Sequence, residues 1–229
     1  MWIMAGVLSV ALIASLLFLD GSLGKSKNKS KFSEMFSKSA AINWLSAARL
    51  FLFGARDVWF VVALPIYLQT VVGWSHTEVG AYIALWIIGY GMIQASTPKI
   101  MRSTKGGNPT SSTAMKLAIA LAGIPFIMAW QLEVNPELII VIGLAIFGVI
   151  FALNSAVHSY LIVSAATHDG TSKDVGFYYM ANAGGRLLGT VLSGYVYQVA
   201  GMEACLMIAG CFILMSAVLV LKVPKTVLN

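Results

Sequence analysis

The chain has 229 residues, of which 59% are hydrophobic and only 10% are charged, and its formal net charge is +6. A soluble domain carries about 25% charged residues, so this composition excludes an ordinary water-soluble globule and favours a protein solvated by lipid. The positive charge does not indicate nucleic-acid binding, because the basic residues are spread over several connections instead of following one face.

Seven apolar stretches predict an all-α, polytopic membrane protein with seven transmembrane helices. They cover residues 2–19, 54–72, 79–97, 117–131, 138–163, 175–199 and 205–221. Most approach the roughly 20 residues that a helix needs to cross a hydrocarbon core about 30 Å thick. A large soluble helical domain is the alternative, but so many separate apolar runs cannot all lie at its centre.

The longest connection separates the first predicted helix, residues 1–19, from the rest. Residues 20–43 are rich in Lys, Ser and Asn and predict a solvated basic linker that touches anionic headgroups. Residues 44–222 then form a six-helix bundle, and residues 223–229 form a cytoplasmic tail. Because a long cytoplasmic connection joins the halves of two-bundle transporters, the first helix is expected to end a first half that this chain lacks.

A cleaved signal peptide is the alternative interpretation of the first apolar stretch. No Lys or Arg precedes it, however, and Leu19-Asp20-Gly21 is not a cleavage site of the small-x-small type. The stretch is therefore expected to be a true membrane span.

The fifteen Lys and Arg residues all fall on one side of the predicted membrane. Connections that carry them alternate with connections at residues 75–78, 133–137 and 201–204 that have none. The positive-inside rule places the basic set in the cytoplasm. We therefore expect a multi-pass protein of the cell's inner (plasma) membrane, with its N-terminus outside and its C-terminus in the cytoplasm.

A lone Arg49 interrupts an apolar run, and Arg56-Asp57 opens the second predicted span. Counting back about 20 residues from Trp74, an expected outer anchor, places Arg56 and Asp57 near the inner membrane boundary. Arg49 and Arg56 are seven residues apart and share a helix face. They are either cations that snorkel to headgroups, with Asp57 as a local partner, or a pair that lines a cavity. Pro65 is expected to kink this helix.

The sixth span carries small residues at every fourth position, namely Ala181, Gly185, Gly189 and Ser193. This period predicts a close-packing stripe along which another helix can approach.

Arg186 lies in the same span, about 21 Å from its outer end at Gly201 for a rise of 1.5 Å per residue. A cation at the midplane costs about 2.5 to 3.5 kcal/mol, so it needs a partner or a watery cavity. Two interpretations stand. Arg186 binds or gates an anion, or it is structural, snorkelling to the cytoplasmic headgroups or pairing with Asp174 or Asp57.

Further candidates for substrate binding are polar residues within the predicted spans. Asn182 lies one turn before Arg186, Asn154 and His158 are one turn apart on the fifth span, and Gln94 is on the third. Intramembrane amides also tie helices together, and that reading stays open here. No Asp or Glu is expected deep in any span. The sequence shows no catalytic residues, no metal site, and no nucleotide or other cofactor motif.

Three blocks of sequence are long and contiguous enough to compare with a known family. They are residues 45–62 (LSAARLFLFGARDVWFVV), 84–95 (ALWIIGYGMIQA) and 176–194 (GFYYMANAGGRLLGTVLSG). They resemble the organoarsenical efflux permeases, the ArsJ family of the major facilitator superfamily. The resemblance covers nearly the whole chain but only the second half of a twelve-helix permease. The strongly basic linker and the absent first half depart from the family.

The resemblance implies a bacterial inner-membrane exporter that works by alternating access and confers arsenate resistance. In that family a glyceraldehyde-3-phosphate dehydrogenase forms 1-arseno-3-phosphoglycerate, and the permease extrudes it. Such a multiply anionic substrate suits an intramembrane arginine such as Arg186. The implied partners are the lipid bilayer, the substrate, a separate N-terminal transporter half and, functionally, the dehydrogenase.

Two other hypotheses remain. The chain could be a major facilitator carrier for another organic anion or drug, with the same helices and a different cavity. It could also be a non-transporting membrane protein, such as a receptor-like chain or an inactive remnant. The Lys-rich first connection and the three sequence blocks argue against a receptor.

Overall fold

A computed structural model describes residues 2–18, 39–103, 109–166 and 171–224. Within these ranges the secondary structure is entirely helical, as predicted. The helices are α1 (Trp2–Phe18), α2 (Ala40–Phe60), α3 (Ala63–Thr70), α4 (His76–Ser103), α5 (Ser111–Gln131), α6 (Pro136–Ala165) and α7 (Thr171–Leu221).

Five helical segments in the described ranges are long and apolar enough to cross a membrane. They are Ala40–Thr70, which joins α2 and α3, His76–Thr97, Ser111–Gln131, Pro136–Ala165 and Asp174–Leu221. The membrane class predicted from composition is thus supported by helix length as well as by hydropathy. By this criterion the described residues contain five candidate spans, and the predicted count of seven is not confirmed.

Helix α1 belongs to a unit, Met1–Met35, that is separate from Phe36–Asn229. It is apolar and 17 residues long. At 1.5 Å per residue this helix is about 25 Å long, at the lower limit for a span. Most of the linker predicted at residues 20–43, and the end of the predicted tail, lie outside the described residues.

Helix α2 begins at Ala40, well before the second span predicted from residue 54. The sequence predicts a bundle from residue 44 and an apolar span from residue 54, so it leaves residues 44–53 in the bundle without a span of their own. The structure instead makes residues 40–70 one span of 31 residues. Arg49 and Arg56 therefore lie inside a helix, and Arg56 with Asp57 is near the middle of the span. At 1.5 Å per residue the segment is about 46 Å long, more than the roughly 30 Å of a hydrocarbon core, so the position of Arg56 and Asp57 near the inner membrane boundary stays a prediction.

The kink expected at Pro65 is present as a break between α2 and α3 at Val61 and Val62. Proline has no amide hydrogen, so Pro65 cannot bond to the carbonyl of Val61 four residues earlier. At the break, the amides of Val62 and Ala63 donate hydrogen bonds to Ser193 Oγ at 3.3 and 3.1 Å. A side chain of α7 thus caps the start of α3.

Polar side chains at the helix starts explain where α4, α5 and α6 begin. Ser75 and Glu78 form a reciprocal cap on α4, and Thr110 forms a capping box with Thr113 on α5. The Asn135 side chain accepts a hydrogen bond from the Leu138 amide, directly after Pro136 at the first position of α6. These caps satisfy amides that have no partner within the helix.

Helix α7 is interrupted at Gly201, whose φ of 76° and ψ of −172° are non-helical. This is where the sequence predicted a turn, and glycine is the residue that adopts a positive φ without strain. Residues on either side of Gly201 therefore form two helical arms, 171–200 and 202–221.

Helix α7 packs mainly against α2 and α5, while α6 packs against α5 and α4. The larger apolar core runs through α2, α3, α5, α6 and the second arm of α7, with Trp59 and Phe147 fully buried. Helix α4 is peripheral, since only 6% of its most apolar segment is buried in the protein. The α2–α7 contact is the one that brings intramembrane charges together.

Candidate anion-binding site

Two glycines of the small-residue stripe allow α7 to approach the backbone of α2. A Cβ added at Gly185 would overlap the Leu50 carbonyl oxygen, and one added at Gly189 would lie 2.5 Å from the Gly54 carbonyl oxygen. Only glycine fits at such distances between backbones. In the same stripe Ser193 is fully buried and caps α3, and Ala181 is half-buried. The close approach brings Arg186, next to Gly185, opposite Asp57.

Asp57 is the centre of an ion cluster between α2 and α7. Its Oδ1 accepts from Arg56 Nε at 2.6 Å, and its Oδ2 accepts from Arg186 Nε at 3.1 Å. The carboxylate is fully buried, whereas 13% of the Arg56 side chain and 56% of the Arg186 side chain are exposed. Asp57 thus holds two guanidinium groups, one of which reaches out of the packed core. We call Arg56, Asp57 and Arg186 the α2–α7 ion cluster.

Asp57 lies inside the apolar helical segment Ala40–Thr70, and the expectation that no acidic residue lies deep in the membrane stays a prediction. Of the two interpretations of Arg186, the ion pair favours the one with a protein partner, and the partner is Asp57. The pair leaves the anion-binding interpretation open, because two cations share one carboxylate and Arg186 is half-exposed.

Arg49 is the cation whose position the sequence reasoning missed. It is 4% exposed, and its Nη1 donates to the backbone and side-chain oxygens of Ser155 on α6 at 3.0 and 3.1 Å. Its Cζ lies 4.0 Å from the centroid of the Phe53 ring and 5.0 Å from that of Tyr178. These ring faces stabilise a cation. The sequence feature that could have indicated its burial is the seven-residue spacing from Arg56, which puts both arginines on one helix face.

The other predicted binding residues divide into two groups. Asn154 and His158 are fully buried on α6, and their side-chain nitrogens and the Asn154 oxygen have no hydrogen-bond partner. Asn182 is half-buried one turn before Arg186, with its Oδ1 unpartnered. Gln94 is half-buried on α4, and no hydrogen bond or ion pair between described residues joins it to the α2–α7 ion cluster. The structure thus brings together Arg56 and Arg186 but does not join Gln94 to them.

The aromatic residues around the cluster come from α2, α4 and α6. Arg56 Cζ lies 5.2 Å from the Phe53 centroid and 5.5 Å from that of Phe151. Phe151 in turn is 5.9 Å from Tyr90, which stacks on Trp86 at 5.5 Å. Arg56 is therefore set against aromatic rings, where its contact with Asp57 is stronger than it would be in water.

The chemistry available to this arrangement is oxyanion binding. Both contacts to Asp57 use Nε, so the terminal nitrogens of the half-exposed Arg186 can face a ligand. A guanidinium fork binds carboxylate, phosphate or arsenate groups through two parallel hydrogen bonds. Among the described residues, no group of three or more His, Cys, Asp or Glu side chains could hold a metal ion.

In comparisons with known proteins, no family model matches the chain, and no curated protein matches it significantly.

Proposed function

We propose that the chain is the second six-helix bundle of a membrane carrier for a small organic anion. The observation that carries this proposal is the α2–α7 ion cluster, in which two arginines share the buried carboxylate of Asp57. Charges inside apolar helices are costly, and they commonly mark substrate or ion pathways. With two cations and one anion, an oxyanion is the ligand that would balance the cluster.

The finer fold proposal counts seven spans. Helix α1 is the first, α2 with α3 the second, and α4, α5 and α6 the next three. The two arms of α7 on either side of Gly201 are the last two. In a two-bundle carrier, α1 then ends the first bundle and the other six spans form the second. A first bundle, on the same or a separate chain, would supply the opposite wall of the binding site.

The proposed mechanism is alternating access, in which two bundles rock about a site near the middle of the membrane. Arg56 and Asp57 lie near the middle of the 31-residue helical segment Ala40–Thr70, which supports a site of this kind. An oxyanion binds the fork of Arg186 while Asp57 fixes the direction of that side chain. Moving an anion out of a cell with a negative interior is favoured by about 2.3 kcal/mol per charge for each 100 mV.

The resemblance to the organoarsenical efflux permeases supports a specific substrate for this proposal, 1-arseno-3-phosphoglycerate. The carrier would then export the product of a glyceraldehyde-3-phosphate dehydrogenase and confer arsenate resistance. It would act in the inner membrane with its basic connections in the cytoplasm.

The experiment is growth on arsenate of a sensitive strain that expresses the chain, a first bundle and the dehydrogenase. Resistance is expected only when the dehydrogenase is present. Arg186→Gln should abolish it, since the fork and charge are lost, while membrane levels measured by immunoblot stay unchanged.

The matched control is Lys116→Gln, which removes a cation from the exposed side of α5. It should leave resistance intact. Resistance without the dehydrogenase would exclude the proposed substrate, and full resistance in Arg186→Gln would remove Arg186 from the site.

A further inference from the structure

Arg49 is a buried cation whose charge is not balanced by any carboxylate among the described residues. Among the described residues, its hydrogen bonds go to the two oxygens of Ser155, and its Nε has no partner there. No carboxylate of the described ranges forms an ion pair with it, since those pairs involve Arg56 and Arg186. A buried charge is strongly unfavourable unless it is paired. The negative charge that neutralises Arg49 is therefore expected to come from something other than the described residues.

Other unsatisfied polar groups lie on the same two helices. Ser46 is one turn before Arg49 on α2, and Asn154 and His158 lie on either side of Ser155 on α6. All side-chain oxygens and nitrogens of Ser46, Asn154 and His158 are buried and without hydrogen-bond partners. We call Ser46, Arg49, Asn154, Ser155 and His158 the α2–α6 polar cluster. An unsatisfied buried polar group costs about 1 to 3 kcal/mol, so several within one helical turn of the Arg49–Ser155 contact indicate a missing ligand or water.

Water alone does not complete this region. Ordered water can satisfy the hydroxyl, amide and imidazole groups, but it leaves the charge of Arg49 unbalanced. The hydroxyl, amide and guanidinium groups can all donate hydrogen bonds, and the imidazole can do so through one nitrogen. An oxyanion meets both needs, because it brings negative charge and several acceptor oxygens.

The α2–α6 polar cluster lies close to the α2–α7 ion cluster. Arg49 Cζ and Arg56 Cζ are 4.0 and 5.2 Å from the centroid of the same Phe53 ring. Two oxyanion groups of one small molecule can therefore reach the two arginines if the molecule extends past one phenyl ring.

We propose that the α2–α6 polar cluster is a second oxyanion subsite, in which Arg49 binds the second oxyanion group of a substrate that carries two. One group binds Arg186 and Arg56, and the other binds Arg49. This inference rests on the proposed anion carrier and adds a specificity determinant to it. Arg49 makes the site prefer anions with two oxyanion groups (two-ended) over anions with one (one-ended). Arg186 is needed to bind either kind.

The test measures equilibrium binding of two stable probes to the purified 229-residue chain in lipid nanodiscs by isothermal titration calorimetry. The one-ended probe is methylphosphonate, and the two-ended probe is propane-1,3-diphosphonate. The wild-type chain should bind the two-ended probe about ten-fold more tightly or better, the factor expected of one further charge-assisted contact. Arg49→Met should reduce this ratio to about one, within a factor of two, and leave methylphosphonate affinity unchanged.

Arg49→Lys keeps the charge without the fork and provides a second variant should the methionine variant not fold. We expect it to give an intermediate ratio, because a lysine contacts an oxyanion as a point charge. General damage to the fold would weaken both probes equally and leave the ratio at its wild-type value. Arg186→Gln should weaken both probes.

Equal affinity of the wild type for the two probes would overturn the second subsite, and so would an unchanged ratio in the folded Arg49 variants. Both outcomes would leave the proposed anion site at Arg186 standing. Failure of the wild type to bind either probe would instead overturn the anion site itself, and the second subsite with it.

Discussion

The close approach of α2 and α7 can be tested by adding a single methyl group. The substitution Gly185→Ala would drive a Cβ into the Leu50 carbonyl oxygen, and the nearest three obstructing atoms all belong to the Leu50 backbone. No side-chain rotation can relieve an overlap with backbone, so the two helices must move apart. Because Arg186 follows Gly185, its contact with Asp57 would lengthen as well.

The size of the effect follows from two opposing contributions. Overpacking costs about 1 to 3 kcal/mol, and we expect about 3 kcal/mol here because the obstacle is backbone. Replacing glycine by alanine inside a helix stabilises the folded state by about 1 kcal/mol, because alanine has the higher helix propensity. The net loss is then about 2 kcal/mol, and at roughly 2 to 4 °C per kcal/mol for a chain of this size it lowers Tm by about 4 to 8 °C.

The neighbouring Gly184→Ala is the matched control, because a Cβ at Gly184 meets no atom within 4 Å. It keeps the helix-propensity gain without the overlap, so Tm should rise by about 2 to 4 °C. Both variants are compared with the wild type by intrinsic tryptophan fluorescence during heating in one detergent. If Gly185→Ala were as stable as Gly184→Ala, the described contact between α2 and α7 would be refuted.

Two further predictions concern the helix break and the orientation. Ser193→Ala removes the oxygen that accepts from the Val62 and Ala63 amides, and it should destabilise the chain by about 1 to 3 kcal/mol in the same unfolding assay. Ser164→Ala, which loses only a bond to a carbonyl of its own helix, should have little effect, and equal losses would argue against the capping role. For the orientation, green fluorescent protein fused to the C-terminus should fluoresce and alkaline phosphatase fused there should be inactive, because the basic connections favour the cytoplasm. An active phosphatase fusion would reverse the proposed topology.

Local sequence signals were sufficient for much of the fold. Long apolar runs are reliable indicators of spanning helices. Pro65 and Gly201 mark chain breaks because one lacks an amide hydrogen and the other adopts a positive φ, and both effects act within a few residues. The four-residue spacing of Gly185 and Gly189 likewise identified a surface that another helix could approach.

The site was harder to predict because it depends on contacts between distant parts of the chain. The sequence left Arg49 as either a snorkelling or a cavity-lining cation, and its burial becomes reasonable only with Ser155 and the ring of Tyr178 in place. The sequence offered Asp57 and Asp174 as possible partners of Arg186 without choosing between them, because Asp57 and Arg186 are 129 positions apart in the chain. One sequence gives the spacing along each helix but not which faces of two helices meet.

The capping of α3 by Ser193 has a mechanical consequence. The joint at Val61 and Val62 is held by a hydroxyl of another helix, so α3 cannot swing about it unless two hydrogen bonds break or α7 follows. Ser193 is also two helical turns beyond Arg186, on the same side of α7. Tilting of α3 would therefore move α7 at Ser193, and α7 would carry that movement to Arg186, whose guanidinium contacts Asp57.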